Sequence, residues 1–504
     1  MKKTLAMLLA LMLALGAMGS VAFAEEREPY SFTMYSNITT ELTEQDKKVI
    51  DEIASSLNLD IDVQIAPSSN YDESMQLTLA SGEYPDMALF SSTTSQMYMD
   101  ACRDGVLVPL NQYLDSGNYP NIMKYTYPIS WEVLDVLGDG NIYSIPRTSI
   151  ARADAYMIRK DWLDKLGYTY DDTKPVTLEW FTQVMNDITF KDPDGNGIND
   201  TYGLAAYSTD GNLGIAGAAS MAYGLSGWRE YDGEYMDLQY SRTNDAFKKA
   251  LAWTAEQYKL GTIDPDWATI DSNAELDRFY QGVTGILGGF VGWMTDEESR
   301  CRQIDPNAEL SYIVYVVNDE NQKIEGGSFS TGYWGAWGIF NNAEHPERIM
   351  EFLDALLSDE WWTSVKYGVE GERWTTDEDG NIVATEAFDS LPYKAPRQIL
   401  RRNDDPGFFI ALNQETEKRL HIEELLGICI KQAVFPLDNG YRPAVCDDLK
   451  FIDYQTNMNT QISKIIIGER PVDDWDEILD GWYNAGGDSY VADMQAYITA
   501  NQAK

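Results

Sequence analysis

The sequence predicts an α/β protein built from two lobes. Residues 28–90 follow the order strand, helix, strand, helix, strand, which is typical of parallel strands in one sheet with helices on its faces. The pattern begins again near residue 156. No low-complexity linker divides the chain, and this favours lobes joined by short crossovers over independent domains.

The first half of the chain alternates the two hydrophobic periods. Tyr30 to Tyr35 alternates like a half-buried strand, whereas Val49, Ile50 and Ile53 recur at helical spacing. A short apolar run after Pro85 is typical of a buried strand. The predicted elements are strand 30–35, helix 43–57, strand 59–63, helix 71–80 and strand 86–90.

The second half continues with longer helices. Gly167 and Gly261 follow predicted helices at the position where glycine commonly ends a helix. The predicted elements are strand 156–158, helices 160–166, 178–188 and 245–259, strands 285–290, 310–317 and 334–340, and helices 347–357, 360–365, 415–433 and 449–467.

The charge of the chain limits its partners. The 504 residues include 38 Lys and Arg against 81 Asp and Glu, which gives a formal net charge of -43. Such a field repels nucleic-acid phosphates and anionic membrane surfaces. Anionic ligands are also disfavoured unless the protein has a local basic pocket or a bound cation.

The N-terminus predicts export. Lys2 and Lys3 precede an apolar run from Leu5 to Ala17, and Ala22-Phe23-Ala24 supplies a cleavage pattern. We interpret residues 1–24 as a cleaved secretory signal and expect a soluble protein, extracellular or at the cell surface, or periplasmic if the source has an outer membrane. No cysteine lies near the cleavage site, so the sequence offers no lipobox thiol for a lipid anchor.

The four cysteines are too few for a disulfide scaffold in a chain of this length. Cys429 and Cys446 are the only local pair, and the absence of any structural disulfide is an equal alternative. Neither histidine has the neighbours that zinc or a catalytic triad needs, and no nucleophile elbow or P-loop is present.

The sharpest local motif is an acidic loop at residues 192–200. Calcium needs six to eight oxygen ligands, and a tightly curled loop can turn alternate side chains inward. Position 12, which is Glu in an EF-hand, is Gly203 here, so the predicted role is structural. The alternative is an Asx-rich turn without metal. The candidate ligands are Asp192, Asp194, Asn196, Asp200 and the carbonyl of Ile198, with Gly197 at the sharp turn. The weaker echo at 377–381 predicts only a hairpin turn.

Aromatic residues are abundant, with 14 Trp, 31 Tyr and 16 Phe. Trp293, Trp334, Trp337 and Trp374 stand close to glycines near probable strand ends. An aromatic face is a flat apolar surface against which a sugar ring can pack. Core packing is the alternative for each of them.

Several blocks together resemble the extracellular solute-binding proteins of ABC importers, in the carbohydrate-type family 1. Leu79 to Met87, with its Gly82 turn and Pro85-Asp86 pair, is similar to the signature of this family. The further blocks follow in family order over nearly the whole mature chain: 104–110 with 113–114, 139–146, 156–163, 467–471 with 474–475, and 486–487.

This resemblance implies a periplasmic-binding-protein-like fold of type II, with two α/β lobes, a cleft between them and a helical C-terminal tail. It implies one lobe from residues 25–147 plus about 290–345, and a second from 148–289 plus about 346–504. Ligand lies where strands end in such sheets, and the lobes close by a hinge. The positions carried over to the cleft are Tyr35, Ser36, Asn37, Ser91, Ser92, Arg147, Trp293 and Trp334. Arg147 has the alternative of a surface or hinge charge, and the two serines that of helix caps.

The resemblance also implies the function. We expect a monomer that captures a carbohydrate, in particular an oligosaccharide, and delivers it to a membrane permease without covalent chemistry. The acidic loop resembles the calcium loop of the longer members, although Thr201 replaces an acidic residue that some of them use. A secreted calcium-containing carbohydrate-active enzyme and a binding protein for a peptide or other solute are the alternatives.

Overall fold

The computed structural model describes residues 28–66, 70–149, 154–209, 211–318, 332–410, 412, 416–432 and 434–502. The predicted signal at 1–24 lies outside these residues. In chain order, the helices and strands up to the first crossover are β1 (Tyr30–Ser36), α1 (Glu44–Ser56), β2 (Leu59–Ile65), α2 (Tyr71–Ser81), β3 (Met87–Phe90), α3 (Gln96–Arg103), α4 (Asn111–Leu114), α5 (Pro120–Tyr125), α6 (Pro128–Val133) and β4 (Ser144–Thr148).

The remaining helices and strands are β5 (Asp154–Arg159), α7 (Lys160–Leu166), β6 (Val176–Thr177), α8 (Leu178–Phe190), β7 (Tyr202–Leu204), α9 (Gly217–Ala222), β8 (Trp228–Tyr231), β9 (Glu234–Asp237), α10 (Ala246–Leu260), α11 (Ser272–Tyr280), β10 (Thr284–Phe290), α12 (Met294–Ile304), β11 (Leu310–Ile313), β12 (Val316–Val317), β13 (Tyr333–Ile339), α13 (Pro346–Leu356), α14 (Trp362–Tyr367), β14 (Trp374–Thr376), β15 (Ile382–Ala384), α15 (Pro396–Ile399), α16 (Thr416–Gln432), α17 (Leu449–Ile466), α18 (Trp475–Trp482) and α19 (Asp488–Gln502).

The first lobe is built on a five-stranded sheet in the order β2-β1-β3-β13-β4. Strand β1 runs parallel to β2 and β3, while β13 is antiparallel to both β3 and β4. Four strands therefore share one direction, and the predicted strand–helix alternation at 28–90 is confirmed. Pro146 is accommodated because β4 is an edge strand, where a missing amide donor costs no ladder bond.

The second lobe contains a four-stranded sheet in the order β11-β5-β10-β7. Strand β5 is antiparallel to β10 and β11, and β10 is parallel to β7. Three strands therefore run together against β5. Two short pairs, β6 with β12 and β8 with β9, extend this lobe.

The implied lobe boundaries change in two places. Strand β11 pairs with β5, so residues 310–317 belong to the second lobe. Residues 346–408 pack on the first lobe, because α13 buries its apolar face in the same core as β1. The carboxylate of Asp46 in α1 also accepts the backbone N–H groups of Lys394 and Ala395, each at 2.8 Å.

The chain returns to the second lobe after residue 408, and its last helices form the implied tail. Helices α17 and α18 bury Phe451, Ile462, Trp475 and Trp482 in the core that also holds α8 and α10. A single π-helical turn at Tyr483–Gly487 then connects α18 to α19. The helical tail is thus an integral layer of the second lobe.

All four cysteines are free, and Cys102, Cys301 and Cys429 are buried. Burial raises the pKa of the Cys102 and Cys301 thiols to about 12, which makes them poor nucleophiles. None of the helices that the structure describes combines the length and apolar character needed to cross a bilayer.

Trp337 ties the distal part of the first lobe to its sheet. The side chain is fully buried, and its indole Nε1 donates to the carbonyl of Ile399 at 2.8 Å. We expect Trp337→Ala to lower the unfolding free energy by about 3–5 kcal/mol, the cost of a large core cavity. Chemical denaturation followed by circular dichroism measures this loss. Trp334→Ala, three residues away on the same strand and half exposed, is the control and should change stability little. Equal losses in the two variants would contradict the assignment.

Candidate functional site

The two sheets are joined in sequence through their carboxyl edges. Strand β4 ends at Thr148 and β5 starts at Asp154, so a short connection joins the carboxyl end of one sheet to the second sheet. Because β5 is antiparallel to β10, its start lies at the carboxyl end of β10. Strand β11 ends beside the start of β5, and β13 starts beside the end of β4. Ligands of α/β sheets bind at such edges.

The predicted residues after β1 and β3 do come together. These strands are adjacent and parallel, so Ser36 and Asn37 emerge beside Ser91 and Ser92. Ser36 is fully buried, and its hydroxyl has no hydrogen-bond partner within the described part of the chain. The helix-cap alternative for the two later serines is wrong, because Ser95 caps α3 by accepting the Tyr98 N–H.

Tyr35 is held at this edge by the start of α2. Its ring stacks on Tyr71 with centroids 5.4 Å apart. The Tyr71 hydroxyl donates to the carbonyl of Leu89 at 2.7 Å, which ties α2 to β3. The aromatic pair therefore forms a fixed wall beside the serines.

A bulge in β13 presents Trp334 to solvent. The register with β4 shifts between Tyr333 and Ala336, and Gly335 adopts a left-handed φ of 70°. A Cβ at Gly335 would lie 2.9 Å from the carbonyl oxygen of Phe90, so only glycine fits there. Bulges commonly redirect a side chain beside a functional site. The Trp334 side chain is accordingly 50% exposed.

Arg147 lies under Trp334. Its guanidinium carbon is 4.9 Å from the centroid of the indole, a cation–π contact. One guanidinium nitrogen donates to the side-chain oxygen of Gln398, and Arg401 donates to the same oxygen. Arg147 is 6% exposed, so the alternative of a surface charge is wrong. Burial lowers the pKa of its guanidinium to about 10.

The other three tryptophans predicted near strand ends differ in how far they are buried. Trp337 and Trp374 are buried and donate to the backbone carbonyls of Ile399 and Gly368, so the core alternative holds for both. Trp293 is 36% exposed at the carboxyl end of β10. Its ring packs edge-on against Phe290, with centroids 5.9 Å apart.

The second lobe has a large cavity at the carboxyl ends of β7 and β10. Its volume is about 910 Å³, within the range of small-molecule sites. Aromatic rings and side-chain amides contribute to its lining, which includes Tyr207, Trp267, Asn212, Gln239 and Asn459. Gly288 and Gly289 open the wall on the β10 side. Flat rings with amides around them suit polyhydroxylated ligands.

Two acidic residues in this cavity have raised pKa values. Burial raises the pKa of Asp237 to about 6, and burial together with the charge of Asp264 raises that of Glu275 to about 8. Asp264 is buried as well, but it pairs with Arg278, whose Nη2 lies 2.9 Å from its Oδ1. Glu275 is thus a neutral hydrogen-bond donor at neutral pH.

Sequence reasoning missed the cavity and the partners of Arg147. The cavity residues come from several distant segments and follow no common spacing. The sequence did contain a signal for the partners of Arg147, because Arg397, Arg401 and Arg402 fall within six positions of a strongly acidic chain. Such a local excess of positive charge is informative when the net charge is -43.

The acidic loop at 192–200 curls as predicted. Asn196 Nδ2 lies 2.8 Å from Asp194 Oδ2 and 3.0 Å from Asp200 Oδ1. Asp192 accepts the N–H groups of Gly195 and Gly197. The amide of Asn196 therefore bridges two carboxylates by hydrogen bonds. Among the described residues, no group of three or more His, Cys, Asp or Glu side chains is arranged to hold a metal ion.

The departures of this loop from the EF-hand have structural causes. A Cβ at Gly203 would lie 2.7 Å from the Cα of Met185, so position 12 cannot carry a glutamate. Thr201 is buried, and its hydroxyl donates to the carbonyl of Ile188 at 2.6 Å rather than facing the loop. The second acidic turn is a hairpin as predicted, since β14 and β15 pair across residues 377–381.

The chain matches the family model described as bacterial extracellular solute-binding protein over residues 39–361. A relative along most of the chain is the polygalacturonan/rhamnogalacturonan-binding protein YtcQ of Bacillus subtilis. It is 24% identical over 472 residues, which cover 89% of this chain and 87% of that protein.

Solved structures share the fold. The Streptococcus pneumoniae substrate-binding protein FusA in complex with kestose superposes with a TM-score of 0.66 at 18% identity, covering 94% of this chain and 99% of that one. A FusA EF-hand mutant in complex with fructo-nystose gives 0.63 at 19% identity, with the same coverage. At these identities the likeness establishes the fold, a type II periplasmic-binding-protein-like architecture.

The raised pKa of Glu275 predicts a pH effect on stability. Between its ordinary pKa of 4.5 and about 8, the folded protein keeps a proton that the unfolded chain releases, so this contribution to stability falls as pH rises. We expect Glu275→Gln to raise the melting temperature at about pH 8 and to change it little at about pH 5. Thermal melts at both pH values test this. Asp277→Asn, an exposed position on the same helix, is the control. An identical shift at both pH values would contradict the prediction.

Proposed function

We propose that this chain captures an oligosaccharide between its two lobes and delivers it to the permease of an ABC importer. The chain belongs to the bacterial extracellular solute-binding proteins, and the proposal proceeds from that membership. The observation that carries this proposal is the pairing of two strand-end edges across the crossovers. One edge presents an aromatic platform, and the other holds a cavity lined by rings and amides.

The parts have distinct roles in capture. Trp334 offers an exposed ring face against which a sugar can pack, on a strand that belongs to the first lobe. Neutral Glu275 and the amides of Asn212 and Gln239 supply hydrogen bonds to hydroxyls from the second lobe. A ligand that touches both lobes stabilises the closed form, and its release at the permease requires opening.

The acidic residues of the cavity favour a binding protein over a glycosidase. A retaining or inverting glycosidase needs two carboxyl groups whose pKa values are driven apart. Here burial raises the pKa of both Asp237 and Glu275. No low-pKa nucleophile is formed by this pair, and we therefore propose a carrier rather than a hydrolase.

The names of the relatives indicate which oligosaccharides to test first. YtcQ is named for polygalacturonan and rhamnogalacturonan, and FusA is a fructooligosaccharide transporter component with kestose bound in one structure. Galacturonate oligosaccharides and neutral oligosaccharides are therefore the first ligands to screen.

The proposed function predicts a thermal shift without cleavage. A ligand at 100 times its dissociation constant should stabilise the protein by about 2.7 kcal/mol. We expect at least one oligosaccharide to raise the melting temperature of residues 25–504 and to be recovered intact by chromatography. Trp334→Ala should weaken this shift. Phe190→Ala is the control, an exposed ring at the end of α8 and outside both strand-end edges. Cleavage of the ligand would establish the enzyme alternative, and failure of all sugars would favour a peptide or other solute.

We also propose that the loop at 192–200 binds a structural calcium ion. Its carboxylates Asp192, Asp194 and Asp200, with Asn196 and the carbonyl of Ile198, are the donors. The convergence of two carboxylates on the Asn196 amide supports this assignment. Because the loop lies at the start of β7, the ion would fix that strand against α8.

Calcium removal should therefore destabilise the protein. An ion that binds only the native state adds to stability, so we expect EDTA to lower the melting temperature and added calcium to restore it. The double variant Asp194→Asn/Asp200→Asn should lose this response. Asp377→Asn, in the other acidic turn, should keep it. An unchanged melt after metal removal verified by elemental analysis would refute the calcium site.

A further inference from the structure

Among the residues that the structure describes, Arg147 is a buried cation without a negatively charged partner. Its guanidinium has two described contacts, the indole of Trp334 and the amide oxygen of Gln398. Its Nε is buried and has no hydrogen-bond partner in the described part of the chain. A neutral amide oxygen satisfies one N–H group but brings no negative charge. Holding a guanidinium this way costs free energy that a structural role would not require.

A second arginine increases the positive charge at this point. Arg401 donates to the same oxygen of Gln398 at 2.5 Å. Burial and the charges of Arg147 and Arg397 lower the pKa of the Arg401 guanidinium. Like charges repel, and an anionic group beside Arg147 would offset this repulsion. We call Arg147, Gln398 and Arg401 the arginine cluster.

Its position is that of a ligand contact. Arg147 lies at the carboxyl end of β4, directly before the crossover to the second lobe, and opposite the bulge that exposes Trp334. Ser36, Ser91 and Ser92 lie at the carboxyl ends of β1 and β3 on the same edge of this sheet. The cluster thus supplies the local positive charge that a chain of net charge -43 needs for an anionic ligand.

We infer that the captured oligosaccharide is acidic and that Arg147 receives a carboxylate of one of its uronate residues, with Arg401 reinforcing the charge. The planar guanidinium fork matches a carboxylate, and its Nε–H is an unfilled donor. Another ring of the oligosaccharide packs against the open face of Trp334. This inference rests on the proposed function and names the ligand class of the same site.

The test compares one sugar with and without its charge. Isothermal titration calorimetry measures binding of trigalacturonate, its methyl ester and galactose 6-sulfate to residues 25–504 at two salt concentrations. We expect trigalacturonate to bind at least about tenfold more tightly than the ester, the worth of a charged hydrogen bond, and to weaken with salt. Equal affinity for acid and ester would overturn the inference but leave the proposed function standing. Preference for the sulfate would overturn the carboxylate assignment, and binding of no sugar at all would overturn both.

A pair of arginine variants separates binding from folding. Arg147→Met should abolish the preference for the acid over the ester while keeping or raising the melting temperature, because it removes an uncompensated buried charge. Arg402→Met is the control, since Arg402 is buried but paired with Asp359. It should lower the melting temperature and keep the preference for the acid. Loss of stability in Arg147→Met with the acid preference retained would show that Arg147 is only structural.

Discussion

The short covalent connection between β4 and β5 is the constraint on which the binding region depends. Five residues, 149–153, join Thr148 to Asp154, and an extended chain spans at most roughly 3.3–3.6 Å per residue. The carboxyl edge of the first sheet is thereby kept close to the matching edge of the second. Antiparallel β5 allows this, because its start, rather than its end, lies at that edge.

Hydrophobic periodicity predicted the α/β class, and the family resemblance added the two-lobe fold and the candidate residues at the first-lobe edge. Strand ends can be identified from hydrophobic periodicity, and residues after parallel strands must meet at one edge. Ser36, Ser91 and Arg147 were carried over from the family resemblance, and the structure places them at or just after the ends of β1, β3 and β4. Sequence spacing could not predict that Trp334 is exposed and Trp337 buried, because the bulge at Gly335 decides their exposure. The second-lobe cavity was missed because distant segments build it, and the lobe boundaries moved because α13 buries its apolar face in the first core.

The two lobes adjust their electrostatics in opposite ways. In the first lobe, positive charge is retained at Arg147 and Arg401 although burial disfavours it. In the second lobe, burial drives Asp237 and Glu275 toward their neutral forms. Both adjustments make the facing edges less negative than the rest of this acidic protein. A surface that repels anions can therefore enclose a region that accepts them.

The bulge that exposes Trp334 also gives the protein a built-in optical probe. Of its 14 tryptophans, only Trp293 and Trp334 present exposed side chains, while the others are buried or half-buried. Indoles packed in the two cores emit a blue background, whereas Trp267, which lines the second-lobe cavity, would also respond to a solute bound there. The indole of Trp334 is exposed to solvent on one side and contacts the Arg147 guanidinium on the other. Its fluorescence intensity and emission wavelength should therefore change when a ligand covers the ring. Ligand capture and release can thus be followed by the intrinsic tryptophan fluorescence of the protein, with no attached dye.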